Sequence, residues 1–297
     1  GGRTLVMERQ FEAAEWMGLV QAEKVNRAMM VPTMLKLLLD HPDFEKYDLS
    51  TLKVVTYGAA PMPLDVIRRA VQTFPGVNFI NAFGQTETAS TITTLGPEDH
   101  NLTGTEEEVE RKLQRLASIG RPMADVEMKI IDEEGNDLSQ GEIGEIVARG
   151  PRVMSGYWKD DEKTSKTIDP DGWVHTGDIA YVDPDGYFFL AGRATDMIIR
   201  AGENISPEEV EGVLETNPKI DDVAVIGIPD EEWGEVPIAV VVLKTDETAT
   251  DDDIMEFCRA NLASFKRPRS VYFTDVLPRN QLGKILKKEM REQYSKM

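Results

Sequence analysis

Short β-branched runs alternate with amphipathic helical segments in the first quarter of the chain, and this alternation restricts the fold strongly. Strand-like runs occupy residues 27–31, 52–57 and 77–81, and helical spacing of apolar residues occupies 33–39 and 64–74. Strands separated by helices pair in parallel, because each helix carries the chain back across the sheet. Ligands of such sheets bind beyond the carboxyl ends of the strands. We therefore expect an α/β sheet with its site at those ends.

Closely spaced short strands follow from residue 118 onward. Strand-like runs occupy residues 126–131, 143–149 and 187–191, and turn sequences such as Asp183-Pro184-Asp185-Gly186 separate such runs. Short strands joined by hairpin turns predict a small antiparallel β-barrel.

The last third of the chain mixes helices and strands. A helix start is predicted at Ser206, which supplies a capping hydroxyl, with Pro207 at the first helical position and Glu209 three residues after the cap. A second helix start is predicted at Thr250, which is followed by three aspartates. The predicted fold class is therefore α/β and multidomain. Its three parts are a portion of a large α/β sheet domain over residues 1–117, the β-barrel over 118–192 and an α+β C-terminal domain over 193–297.

The charge and cysteine content restrict the partners and the compartment. The chain has 33 basic and 53 acidic residues among 297, a formal net charge of −20. Binding to nucleic acid or to an anionic membrane requires a basic surface, so neither partner is expected. The single cysteine, Cys258, excludes an internal disulfide and fits a reducing compartment. Without an apolar run of about 18 residues or a signal-peptide pattern, we expect a cytoplasmic protein with no transmembrane segment.

Two short motifs directly follow predicted strands. The first is Gly58-Ala59-Ala60-Pro61, and the second is Phe83-Gly84-Gln85-Thr86-Glu87. An aromatic ring can stack on a purine. A hydroxyl next to a carboxylate can bind a phosphate oxygen and a Mg²⁺ ion. Either motif alone is common, so the spacing only suggests a nucleotide site.

Further motifs follow in order and carry a family resemblance. They occupy residues 150–158 (GPRVMSGYW), 172–178 (GWVHTGD), 192–196 (GRATD) and 280–284 (NQLGK). The chain resembles the acyl-adenylate-forming enzymes, the AMP-dependent synthetase/ligase family, and within it the acyl-CoA synthetases. The resemblance covers essentially the whole chain but matches only the C-terminal part of the family's pattern.

The resemblance implies an acid–thiol ligase. Such an enzyme joins a carboxylic acid to ATP, releases pyrophosphate and then transfers the acyl group from AMP to CoA, so ATP, Mg²⁺ and CoA are the implied cofactors. Lys284 matches the family's catalytic lysine between the carboxylate and the α-phosphate. Glu87 matches the Mg²⁺ ligand, and Thr86 matches a phosphate contact. The reaction needs positive charge at the phosphate that is attacked, because negative charge accumulates there in the transition state.

The resemblance also implies positions that contact the nucleotide and the thiol. Phe83 lies where the family stacks a tyrosine or tryptophan on adenine, and the small residues Gly58, Ala59 and Ala60 match a segment along adenine and the acyl group. Asp178 and Arg193 match residues that hold the ribose hydroxyls. The C-terminal domain of the family swings about a hinge, here near Thr195, and a loop around Gly202 then lines the path of the CoA thiol. The hinge is usually aspartate or lysine, so the threonine is a departure.

A second departure is the phosphate loop of the family, a run rich in serine, threonine and glycine, which is not found in residues 1–297. We therefore expect the chain to be the C-terminal portion of a longer acyl-CoA synthetase for a fatty or aryl acid. The alternatives are a non-catalytic remnant that binds a nucleotide or a partner protein, and the adenylation domain of another family member. The particular acid stays open, and so does the oligomeric state, for which a homodimer is one option.

Overall fold

The computed structural model describes residues 2–193, 195–280 and 284–295. The chain divides into two compact units. The first contains residues 1–176 and 181–190, and the second contains residues 177–180 and 191–297. Each unit has its own hydrophobic core.

A five-stranded sheet organises the first unit. Its strands are β1 (Arg27–Met30), β2 (Val54–Gly58), β3 (Asn78–Phe83), β4 (Thr93–Leu95) and β5 (Arg121–Pro122), which lie in sequence order across the sheet. β1, β2 and β3 are parallel, which confirms the prediction made from the alternation of strands and helices. β4 and β5 extend the sheet in antiparallel fashion.

The first unit also contains helices, and the earliest three of them bury apolar residues in the core beside this sheet. The helices are α1 (Ala13–Glu23), α2 (Pro32–Leu39), α3 (Leu64–Thr73), α4 (Pro97–His100), α5 (Glu106–Arg115) and α6 (Asp161–Thr167). The core contains Met17 of α1, Leu35 of α2, Ile67 of α3, Tyr57 of β2 and Phe79 of β3. This burial is what holds short helices in place, because isolated helices of this length are marginal in water.

The first residues of the chain do not adopt the conformation that their sequence pattern predicts. The apolar run over residues 3–7 predicts a strand, and that prediction is wrong, since these residues have no regular secondary structure. Leu5 and Met7 are each 81% exposed. Strand propensity is expressed only when a neighbouring strand pairs with the run.

A second sheet follows along the chain. It contains β6 (Glu127–Ile131), β7 (Gly144–Arg149), β8 (Val174–Val182) and β9 (Phe188–Arg193), in that order across the sheet. The predicted strands and the turn at residues 183–186 are present, but the described strands do not close into a barrel. Turn residues identify neighbouring strands, whereas closure depends on pairing between the outer strands, which local spacing does not encode.

The second unit is built on two long antiparallel strands that pair with each other. Its strands are β10 (Ile198–Arg200), β11 (Glu203–Ile205), β12 (Ile220–Asp230), β13 (Gly234–Leu243) and β14 (Val271–Phe273), in the order β11-β10-β13-β12 with β14 paired to β13. Its helices are α7 (Pro207–Leu214), α8 (Asp251–Asn261) and α9 (Lys287–Tyr294). Both faces of β12 are buried, since Val225 packs with Cys258 of α8 and Ile226 packs with Met290 of α9.

The predicted helix starts are confirmed by their hydrogen bonds. The N–H of Glu209 donates to the hydroxyl of Ser206 at 3.1 Å, and the N–H of Asp253 donates to the hydroxyl of Thr250 at 3.2 Å. Such a cap satisfies an otherwise unpaired backbone donor and stabilises a helix by about 1 kcal/mol.

Among the described residues, the helices are too short or too polar for any of them to cross a membrane.

Candidate active site

The two motifs that follow β2 and β3 lie side by side. Gly58, the last residue of β2, is paired in register with Ala82 of β3. The segments that follow the two strands therefore leave the sheet at the same edge. A Cβ on Gly58 would lie 2.2 Å from the carbonyl oxygen of Ala82, so only glycine fits. Ala59 follows with a φ of +69°, a left-handed conformation that is unusual for alanine. The predicted proximity of the two motifs is therefore confirmed.

Phe83 ends β3 and is partly buried. Its ring packs against a cluster that contains Ile92, Val126 and Val174. The side chain therefore belongs in part to the core of the first unit, and the rest of its surface remains accessible.

Thr86 and Glu87 lie on one turn of 3-10 helix, Thr86–Thr88. The N–H of Gln85 donates to the hydroxyl of Thr88 at 3.1 Å, and this hydroxyl donates back to the carbonyl oxygen of Gln85 at 3.0 Å. Thr88 is fully buried and fixes this turn to the protein interior, whereas Thr86 is exposed. The short turn thus presents a hydroxyl and a carboxylate at the sheet edge.

Tyr157 contacts Glu87, and the sequence analysis did not reveal this contact. Its hydroxyl donates to Oε1 of Glu87 at 2.6 Å, and the N–H of Met154 donates to the carbonyl oxygen of Glu87 at 2.8 Å. This hydrogen bond to the carboxylate is the main cause of a raised pKa of Tyr157. Tyr157 belongs to the motif at 150–158, and that membership is the only signal in the sequence that singles it out.

The donor set at Glu87 fits a magnesium ion that also contacts a nucleotide. Magnesium binds oxygen ligands and usually takes one or two carboxylates together with substrate phosphates. In the described parts of the chain, no cluster of three histidine, cysteine or acidic side chains is arranged to hold a metal by itself. A single carboxylate beside the Thr86 hydroxyl is therefore suited to an ion that arrives with its phosphates.

Asp178 and Arg193 meet in the second unit. Nε of Arg193 lies 2.8 Å from Oδ1 of Asp178, whose side chain is 7% exposed, whereas that of Arg193 is 41% exposed. The two residues come from neighbouring strands, β8 and β9. The ion pair fixes a buried carboxylate next to an accessible guanidinium, which suits recognition of a polar ligand.

Lys284 lies in the second unit on an exposed segment before α9. Its N–H donates to Oδ1 of Asn280 at 3.0 Å, and its carbonyl oxygen accepts from the N–H of Asn280 at 2.9 Å. The rest of the predicted motif, residues 281–283, lies outside the described residues.

Gly202 and Thr195 are the remaining predicted positions, and both lie in turns of the second unit. Gly202 has a φ of +86° and forms, with Ala201 at +50°, a two-residue turn between β10 and β11. A Cβ there would have no neighbour within 4 Å, so the backbone conformation itself favours glycine. Thr195 is exposed beside Asp196.

The predicted residues therefore form two sets, one in each unit. The first unit holds Gly58, Ala59, Ala60, Phe83, Thr86 and Glu87, and the second holds Asp178, Arg193, Gly202 and Lys284.

The chain thus combines an α/β unit with a second unit that carries the exposed Lys284. The AMP-binding enzyme family matches residues 1–158, and the AMP-binding enzyme C-terminal domain matches residues 209–284. The chain belongs to the AMP-binding enzyme family, which confirms the resemblance.

Relatives and solved structures agree with this assignment. The chain is 37% identical over 302 residues to the medium/long-chain-fatty-acid–CoA ligase FadD8 of Mycobacterium tuberculosis, covering 99% of this chain and 50% of that protein. It is 38% identical over 293 residues to a feruloyl-CoA synthase of Amycolatopsis, covering 99% and 57%. The structure of the amide bond synthetase McbA from Marinactinospora thermotolerans matches with a TM-score of 0.86 and 31% identity, covering 96% and 55%. The chain thus spans about half the length of these relatives.

Proposed function

We propose that the protein is an acyl-CoA synthetase. The carboxylate of a fatty or aryl acid attacks the α-phosphorus of ATP and displaces pyrophosphate, which gives an acyl-adenylate. The thiol of CoA then attacks the acyl carbon and displaces AMP, and its proton is released to solvent. The observation that carries this proposal is that family-matching residues of both units are retained together, from Glu87 in the first unit to Lys284 in the second.

Each residue has a proposed role that follows from its chemistry. Lys284 neutralises charge as the acid carboxylate approaches the α-phosphate, since two anions otherwise repel. Glu87 would hold Mg²⁺, which would supply positive charge to the leaving pyrophosphate, and Thr86 donates to a phosphate oxygen. Asp178 accepts hydrogen bonds from the ribose hydroxyls with Arg193 beside it, supported by the 2.8 Å pair that fixes the carboxylate.

The base and the acyl group have proposed contacts in the first unit. Adenine lies against Phe83, and the backbone of Gly58, Ala59 and Ala60 runs along adenine and the acyl chain. The register between Gly58 and Ala82 supports this proposal, because it brings both segments to one edge. An aromatic face and small side chains admit a flat base at close range.

Thioester formation, the second half-reaction, requires a different position of the C-terminal domain. We propose that residues 193–297 act as the small C-terminal domain, which turns about a hinge near Thr195. Lys284 serves adenylation, and the turn at Gly202 then lines the path of the CoA thiol. Gating of this kind separates two reactions that share one bound nucleotide.

The proposal is tested by pyrophosphate release from the complete protein with ATP, Mg²⁺ and a panel of fatty and aryl acids. We expect release that depends on one class of acid, followed by conversion to a thioester when CoA is added. Acid-dependent release with transfer to amines but not to CoA would replace the ligase assignment by another adenylate-forming activity. Nucleotide binding without acid-dependent release would favour the non-catalytic alternative.

A further inference from the structure

One basic side chain of α9 is buried although its neighbour is exposed. The side chain of Lys287 is 11% exposed, whereas Lys288 lies on the exposed face of the helix. Nζ of Lys287 lies 2.8 Å from Oε1 of Glu211 and 3.6 Å from Oε1 of Glu208, both on α7. The contact is a close ion pair rather than a well-aligned hydrogen bond. A buried ammonium requires such partners, because its desolvation is costly.

Glu211 is fixed from a second direction. Its side chain is 13% exposed, and Oε1 accepts the N–H of Val225 at 2.6 Å. Val225 lies in β12, a long strand of the second unit, and is fully buried. Glu211 therefore connects the first residue of α9 to the core of that unit.

The two carboxylates favour the charged form of Lys287. Burial alone lowers the pKa of Lys287, but the carboxylates of Glu211 and Glu208 outweigh burial and raise the pKa of this ammonium above its usual value. Lys287 therefore stays charged at neutral pH.

Described residues on both sides of Lys284 make contacts with the rest of the second unit or with each other. On its N-terminal side, Nη2 of Arg279 lies 2.6 Å from Oδ2 of Asp222 in β12. On its C-terminal side, the N–H of Leu286 donates to the carbonyl oxygen of Pro278 at 2.9 Å, and Lys287 follows at once. Lys284 itself is exposed, so its position depends on these flanking contacts.

We propose that Lys287 and Glu211 form a positioning pair that holds Lys284 at the geometry needed for acyl-adenylate formation. This inference rests on the proposed function, because it acts through Lys284. A buried ion pair adds little net stability compared with apolar residues of the same size, so stability alone does not account for its placement. A side chain that must neutralise charge in a transition state needs support from residues behind it.

The same helix also contacts the segment next to the proposed hinge. Nη2 of Arg291 lies 2.6 Å from Oδ1 of Asp196, and both side chains are partly buried. Arg291 lies one turn after Lys287 on the same face of α9. The helix thus fixes the Lys284 segment and the residue after Thr195 as one body.

The test separates the two half-reactions in the complete protein. Lys287→Met should lower acyl-adenylate formation by about 10- to 100-fold, because a small displacement of a catalytic group costs that much. Thioester formation from supplied acyl-adenylate should stay within about twofold, since it does not use Lys284. The matched control Lys288→Met should leave both rates unchanged. Unchanged adenylation in Lys287→Met, or equal loss of both half-reactions, overturns the proposal.

A double-mutant cycle shows whether Lys287 acts through Lys284. In a Lys284→Ala background, Lys287→Met should cause no further loss of adenylation, because the residue that it positions is gone. A further loss of about tenfold or more would overturn the proposal. Glu211→Gln, which retains the shape of the side chain, should reproduce the same pattern if Lys287→Met does not fold.

Amide hydrogen exchange tests the positioning independently of activity. The N–H groups of Lys284 and Leu286 are hydrogen-bonded, and their exchange should become about tenfold faster in Lys287→Met but not in Lys288→Met. If Lys284→Ala leaves adenylation intact, the proposed role of Lys284 fails, and exchange alone decides the positioning. Unchanged exchange at both amides would overturn it.

Discussion

The hydroxyl of Tyr157 donates a 2.6 Å hydrogen bond to Oε1 of Glu87 and thereby joins two motifs that are 70 residues apart. Glu87 lies on a turn fixed by Thr88, and the hydroxyl of Tyr157 restrains its carboxylate. Because a metal ligand held in one rotamer loses less entropy when the ion binds, we expect Tyr157 to affect the proposed Mg²⁺ site more than the nucleotide.

Replacing Tyr157 by phenylalanine removes this hydrogen bond and retains the ring. We expect the Mg²⁺ concentration for half-maximal pyrophosphate release to rise by about tenfold, as is usual when a partner of a metal ligand is lost. Trp158→Phe is the matched control, because Trp158 is 87% exposed. A fall in the maximal rate with unchanged Mg²⁺ dependence would contradict this role.

Gly58 should be intolerant of any side chain. In Gly58→Ala the new Cβ would lie 2.2 Å from the carbonyl oxygen of Ala82, so β2 and β3 must separate. We expect a loss of about 1–3 kcal/mol in the free energy of unfolding, measured with urea. Gly18→Ala in α1 is the control, since its Cβ would meet Tyr47 only at 3.9 Å, and it should be neutral or stabilising. Similar losses in both variants would refute the steric explanation.

A buried histidine should make the first unit sensitive to acid. Nδ1 of His100 donates to the carbonyl oxygen of Gly96 at 2.7 Å, and Nε2 of the neutral ring accepts from the hydroxyl of Tyr57 at 2.8 Å. Burial lowers the pKa of His100 below its usual value. The unfolded chain therefore binds the proton more readily, and stability falls as the pH drops below about 6.5.

Urea unfolding at several pH values measures this effect. The native protein should lose more stability between about pH 7.5 and pH 5.5 than His100→Gln, which does not titrate. Parallel loss in both proteins would assign the acid sensitivity to other groups.

Gly202 offers a way to separate backbone strain from obstruction of the thiol path. Its φ of +86° means that alanine alone costs about 1–2 kcal/mol of local strain. Gly202→Leu should lower thioester formation by about tenfold more than Gly202→Ala, with adenylation equal in the two variants. Equal thioester rates in the two variants would remove Gly202 from the thiol path.

Local chemistry predicted much of the fold. The caps at Ser206 and Thr250 join residues three apart, and the alternation before residue 81 required parallel pairing, so both could be deduced from neighbouring residues. The strand over 3–7 and the closed barrel depended on partners that the pattern does not specify.

The candidate site was predicted in outline for the same reason. The residues at the strand ends, such as Gly58 and Phe83, follow from the rule for parallel sheets. The contacts of Tyr157 and Lys287 join segments that are distant in sequence, and only the folded chain brings them together. The roles of Lys284 and Gly202 remain predictions from the family pattern.

The most direct test of the account measures the two half-reactions in Lys284→Ala. We predict that acyl-adenylate formation in the complete protein falls by at least about 100-fold, since the variant loses the charge that stabilises the transition state. Thioester formation from supplied acyl-adenylate should change by no more than about twofold, and Lys288→Ala should resemble the native protein. Equal loss of both half-reactions, or intact adenylation, would contradict the account.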